Sequence, residues 1–218
     1  DIIKSIPTEE NTIKNEFISN ISSNEKYTFF LNTYGSLYAV DNNRMRILWF
    51  INLNQSIDLN PSNLFEGNQI VINKDKISVS SNRYSYVLDM ETGSIIYKYN
   101  FTTFIKSLII NDYIFHVTKN NLLIAIYLKT GEIIYSVNIN EEIAKFLKTK
   151  ERKAEFLNIF MVNGKLFIFL KSSYILKFSV NGNLDEIQKL PVKINSNPIF
   201  LNKLILFINN KSKLSVVN

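Results

Sequence analysis

Ser85-Tyr-Val-Leu-Asp89-Met-Glu-Thr92-Gly93-Ser-Ile-Ile-Tyr97 and Leu123-Ile-Ala-Ile-Tyr127-Leu-Lys-Thr130-Gly131-Glu-Ile-Ile-Tyr135 follow one pattern: apolar run, turn with Thr-Gly, apolar run closed by tyrosine. Each reads as strand, tight turn, strand. Two further segments superimpose on them, Leu37 to Trp49 and Tyr174 to Glu186. The glycines recur 38 residues apart from Gly93 to Gly131, and 51 apart from Gly131 to Gly182. A glycine late in a short hairpin loop supplies the positive φ that a type I turn followed by a bulge requires. Asp41 and Asp89 stand where a carboxylate accepts hydrogen bonds from the turn's backbone N–H groups, which is a structural role.

Upstream of each hairpin lie two more short apolar runs separated by Asn, Lys, Gly or Asp, as in Ser107 to Val117. Each unit therefore has four strands. The third is expected to use Ile105 to Ile110, Tyr113 to Val117, Leu122 to Leu128 and Glu132 to Val137. The fourth is expected to use Asn158 to Val162, Lys165 to Leu170, Tyr174 to Ser179 and Leu184 to Lys189. Four-stranded sheets recurring about every 40 residues are the sequence sign of propeller blades, which bury their faces on one another. The expected fold is all-β: a β-propeller, or an arc of one, with about five antiparallel units in one domain over residues 1–218. A plain β-sandwich would not require the hairpin register to recur.

One segment breaks the β pattern and accounts for the longer glycine spacing. From Glu141 to Leu157, the residues Ile143, Phe146, Leu147, Lys150 and Ala154 fall at helical spacing, with acids at the start and bases later. A helix over 141–157 is expected as an insertion between blades, either covering a blade edge with its apolar face or presenting Phe146, Leu147, Lys150 and Arg152 as candidate partner-binding residues.

With 46% hydrophobic and 13% aromatic residues the chain can build a core, and it has no apolar run long enough for a membrane helix. The 25 basic and 19 acidic residues give a net charge of +6, and the basic residues are spread along the chain, which describes a solvated surface and not a nucleic-acid face. Cysteine is absent, which removes disulfides, thiolate metal sites and a cysteine nucleophile. His116, the single histidine, alternates with Phe115 in a strand and reads as partly buried and structural. No phosphate-binding glycine loop or zinc-binding His-Glu-x-x-His run is present. No catalytic, cofactor-binding or metal-binding residue is nominated.

The hairpins carry a family resemblance. Ala39-Val40-Asp41 followed by Trp49 resembles the pyrroloquinoline-quinone (PQQ)-type repeat, Ala-x-Asp-x-x-Thr-Gly-x-x-x-Trp, and residues 17–217 can be laid over it. The resemblance implies that Trp49, Tyr97 and Tyr135 pack between adjacent blades. Glu186 holds that position in the fourth unit, Arg44-Met45 replace Thr-Gly in the first, and Tyr127 and Phe178 replace the aspartate in the third and fourth. One branch of the family comprises quinoprotein dehydrogenases, with PQQ and calcium at the propeller centre. The other is typified by BamB, a non-catalytic lipoprotein of the outer-membrane β-barrel assembly machinery. Divergent repeats without a nominated site favour the second branch. It implies a periplasmic, protein-binding scaffold without a cofactor, tied to the outer membrane only through an anchor outside this chain. A dehydrogenase or small-ligand-binding propeller is the alternative. Lys213 to Asn218 aligns with the third strand of a blade, so Asp1 to Pro7 either pairs with it to close a five-unit ring or finishes the preceding blade of a larger one. The larger ring is the preferred expectation.

Overall fold

The computed structural model describes residues 4–6, 20–54, 69–103, 105–202 and 204–217. The chain divides into two compact units, residues 1–109 and 110–218.

In the first unit, β1 (Asn20–Ser23), β2 (Tyr27–Leu31), β3 (Ser36–Asp41) and β4 (Arg46–Asn52) form one antiparallel sheet in sequence order. A second sheet repeats it with β5 (Val71–Asn73), β6 (Lys76–Ser80), β7 (Ser85–Asp89) and β8 (Ile95–Tyr99). The second unit holds the sheet of β9 (Leu108–Ile110), β10 (Tyr113–Val117), β11 (Leu122–Tyr127) and β12 (Glu132–Asn138), apart from the first two residues of β9. It continues with β13 (Phe156–Val162), β14 (Lys165–Leu170), β15 (Tyr174–Ser179) and β16 (Leu184–Lys189). A three-stranded sheet of β17 (Ile199–Leu201), β18 (Leu204–Ile208) and β19 (Leu214–Val217) follows. The strands expected for units three and four are all present. β9 starts three residues later and β13 two residues earlier than the sequence pattern placed them.

Burial explains the composition of the strands. β7 and β11 are buried almost throughout, and their centres, Tyr86 to Leu88 and Leu123 to Ile126, are apolar. The outer strand β4 alternates between half-buried and exposed, and its sequence tolerates Arg46 and Asn52. In the first unit Phe29, Leu37, Ile77, Val79 and Leu88 pack in one core cluster drawn from the first two sheets. In the second unit Phe169, Ile175, Leu190, Ile205 and Phe207 form the corresponding core of the last two sheets. There Phe200 meets Phe160 edge-on at 5.4 Å and Phe169 at 6.1 Å, the geometry aromatic rings prefer.

The repeated hairpins share one register. Ala39 opposes Trp49, Val87 opposes Tyr97, Ala125 opposes Tyr135 and Lys177 opposes Glu186. Each hairpin has its bulge immediately after that pair. Gly93, Gly131 and Gly182 have φ of 73°, 76° and 87°, and Met45 adopts 49° at the same place in the first hairpin. The carboxylates behave as turn residues. Asp41 Oδ1 accepts from the N–H groups of Asn43 and Arg44 at 2.9 and 3.0 Å, and Asp89 Oδ1 from those of Glu91 and Thr92 at 3.0 and 2.8 Å. The Arg44 and Thr92 backbone donors hold the two carboxyls below the ordinary aspartate range.

The fourth hairpin departs from the sequence alignment by one residue. Its loop is one shorter, so Phe178 takes the place of Val40 and Leu88, and Ser179 takes that of the aspartate. Ser179 Oγ accepts from the Asn183 N–H at 3.2 Å, four residues on, where the carboxylates of the other hairpins accept from N–H groups two and three residues on.

The reason for both glycine and aromatic lies in how neighbouring sheets meet. Trp49 lies over the second hairpin, where a Cβ on Gly93 would come within 2.6 Å of its ring. Its Nε1 donates to the Met90 carbonyl at 3.1 Å. Tyr135 lies over the fourth hairpin in the same way, with a Cβ on Gly182 falling within 2.8 Å of its ring. The expected placement of Trp49 and Tyr135 between blades is therefore observed, and Tyr97 shares their register position. The tyrosine seat is the poorer one, because its buried hydroxyl finds no hydrogen-bond partner among the described residues, and burial pushes its pKa up. Tyr135→Phe is expected to leave stability unchanged or raise it by up to about 1 kcal/mol in a denaturant melt. A loss above that size would show that the hydroxyl is satisfied in solution.

The last sheet ends on the third strand of a blade, as the alignment indicates, and β19 pairs with β18. Of the segment Asp1 to Pro7, expected to close a ring or finish a neighbouring blade, Lys4–Ile6 are described and form no strand; the remainder lies outside the described residues.

Candidate functional site

The insertion follows β12 directly. Its helix α1 spans Ile139–Leu147, not 141–157 as the spacing of apolar residues suggested. Asn138 caps it: Oδ1 accepts from the N–H groups of Asn140 and Glu141, and Nδ2 donates to Glu141 Oε1 at 2.9 Å. Glu141 and Glu142 occupy the first turn, where the helix dipole favours negative charge. The end is equally well defined. Lys148 turns left-handed at φ 51°, and Thr149 N–H closes back on the Ala144 carbonyl at 3.0 Å. Beyond it, Lys148-Thr-Lys150-Glu-Arg152-Lys153 places four cations in six residues. Their mutual repulsion and the β-branched Thr149 oppose further helix. Lys150 and Ala154 thus lie on an irregular segment, tied to the helix start where Asn140 Oδ1 accepts from Ala154 N–H at 3.1 Å. Asn138→Ala should cost about 1 kcal/mol of stability and reduce helical circular dichroism; an unchanged spectrum and melt would contradict the cap.

One end of the helix is fixed and the other projects. Ile139 and Asn140 are buried, and Ile143 is half-buried on the side that meets β12 and β16. Phe146 and Leu147 are 46% and 50% exposed, and Lys150 and Arg152 are exposed as well. The structure therefore brings the four sequence-nominated residues into one continuous exposed stretch. It adds Lys148 and Lys153, which the helical reading had spread over a longer rod. None of Lys148, Lys150, Arg152 and Lys153 has a side-chain ion pair among the described residues, whereas Lys145 pairs with Glu142 at 2.9 Å.

The second unit also holds clefts. One of about 350 Å³ is lined by Leu157, Asn158, Ser196 and Asn197 among others, and one of about 320 Å³ by Tyr113, Tyr135, Met161 and Val180 among others. His116 is fully buried in β10, more deeply than its alternation with Phe115 suggested. Burial holds its pKa down to about 3. A calcium-bound quinone needs several oxygen ligands around the metal. Among the described residues no three of His, Cys, Asp and Glu come together as a metal-ligand set. No helix among the described residues is long and apolar enough to cross a membrane.

Neither family models nor curated proteins match the chain. Solved structures do. BamB from Moraxella catarrhalis superimposes with a TM-score of 0.71 at 10% identity, over 97% of this chain and 61% of that one. The quinohemoprotein alcohol dehydrogenase of Comamonas testosteroni gives 0.68 at 10% identity, over 91% of this chain and 41% of that one. The computationally designed protein Ika8 gives 0.65 at 9% identity, over 90% and 56%. This chain spans about three fifths of the length of the BamB chain it matches. With its recurring register, glycine seats and interblade aromatics, the chain has the fold of the PQQ-type repeat β-propellers.

Proposed function

We propose that this protein is a non-enzymatic scaffold of the BamB kind, a periplasmic propeller whose blade-connecting loops bind a protein partner during assembly of outer-membrane β-barrels. The observation that carries the reading is the likeness to BamB across 97% of the chain. Interblade seats built from an aromatic and a glycine favour it, since they stiffen a frame on which loops can be displayed. In the test, the purified chain is mixed with the β-barrel assembly subunits of the same organism, and a stoichiometric complex on size exclusion is expected. The competing reading is a quinoprotein-like dehydrogenase or small-ligand-binding propeller, favoured by the likeness to the Comamonas enzyme. Reconstitution with PQQ and calcium discriminates: saturable binding with alcohol or sugar oxidation would sink the scaffold, and no complex with any assembly subunit would sink it too.

A further inference from the structure

We infer that the tip of the insertion, Phe146 and Leu147 with Lys148, Lys150, Arg152 and Lys153, is a docking surface for an anionic lipid bilayer. Two adjacent apolar side chains stand about half-exposed at the end of a helix whose other end is buried. Next to them lie four cations without ion-pair partners among the described residues and one acid, Glu151. Apolar side chains that enter the acyl boundary while basic ones meet the headgroups are the chemistry of an interfacial anchor.

Shape separates this from a peptide site. An acidic peptide needs a groove to hold its side chains, and neither of the two clefts described above is lined by any residue from 139 to 155. The tip is exposed throughout from Phe146 to Lys153, open to a soft interface. The fixed base supports the same reading. The Asn138 cap and the Asn140 to Ala154 hydrogen bond hold the two ends of the insertion together, so the apolar pair projects without a further ordering cost. The surface that sequence alone assigned to a protein partner is thereby assigned to lipid, and the contact needs no anchor elsewhere in the chain. It goes beyond the scaffold reading and stands or falls separately, because its readout contains no protein partner.

The test is co-sedimentation of the purified chain with vesicles of phosphatidylcholine alone and with phosphatidylcholine containing phosphatidylglycerol, at low and at physiological salt. Binding is expected to be at least tenfold stronger to the anionic vesicles and to weaken with salt, at about 1 kcal/mol for each basic residue at the surface. Phe146→Ser with Leu147→Ser, and separately Lys148, Lys150, Arg152 and Lys153 each changed to Gln, should each cut that binding about tenfold or more. All six positions are exposed, so thermal melts of both variants should match the parent chain, which confirms folding. Absence of binding to anionic vesicles at low salt would overturn the inference, as would equal binding by parent and both variants. Binding to soluble polyglutamate that depends on these residues, without vesicle binding, would overturn it in favour of an acidic protein.

Discussion

Trp49→Ala is expected to lower the free energy of unfolding by roughly 3–5 kcal/mol. The side chain does three things that a methyl group cannot. It fills the seat over Gly93, lies tilted against the buried ring of Phe29 at 5.9 Å, and donates to the Met90 carbonyl. The same seat makes Gly93→Ala costly on its own, by roughly 2–4 kcal/mol, because the new Cβ would fall within 2.6 Å of the indole at a φ of 73°. The double variant separates the two causes. With the indole gone only the backbone strain remains, so Gly93→Ala should cost about 1 kcal/mol in the Trp49→Ala background. Strict additivity in denaturant melts would mean that the ring does not sit on the glycine.

Acidification should destabilise the protein at pH values well above the range in which Asp41 and Asp89 protonate. His116 is fully buried, and burial lowers its pKa from the ordinary 6.5 to about 3. As pH falls the unfolded chain takes up the proton first. Stability is therefore complete above pH 6.5 and declines between 6.5 and about 3, at up to about 1.4 kcal/mol per pH unit. From pH 6.5 to 4.5 the loss is expected to reach roughly 2–3 kcal/mol. Asp41 and Asp89, both held below their ordinary 3.8 by turn N–H groups, act with the same sign but in a window below that value. Unfolding free energies measured across this range should show the upper decline in the parent chain and not in His116→Leu. A decline of the same size in both would assign it to other groups.

The seats also explain why the repeat decays along the chain without the fold decaying. Glu186 keeps the position of Trp49 beside the bulge but pairs with Lys177 at 2.9 Å, with the Lys177 and Glu186 side chains 18% and 52% exposed. A polar pair replaces the plug there, while the core of the last two sheets is built by Phe169, Ile175, Ile205 and Phe207. Met45 tolerates a left-handed φ of 49° that glycine would take more easily, because the turn is still closed by the Met45 N–H to Asp41 carbonyl hydrogen bond at 2.8 Å.

What the sequence determined by itself is whatever depends on neighbours a few residues apart. The hairpins, the left-handed glycines, the aspartate turns and four-stranded units are of this kind, since loop chemistry and period-two burial are local. The partners of Trp49 and Tyr135 were legible only as a class, interblade aromatics, because the repeat names the position but not the surface it meets. Only the tertiary structure decided that these rings rest on Gly93 and Gly182, that the fourth hairpin is one residue shorter, and that His116 is sealed from water. It also decided the insertion. Helical spacing of Ile143, Phe146, Lys150 and Ala154 ran on through Leu157, yet α1 stops at Leu147. Burial of Ile139 and the return of the chain into β13 set its length, and a run of cations without ion-pair partners among the described residues has too little apolar contact to hold another turn against its own repulsion.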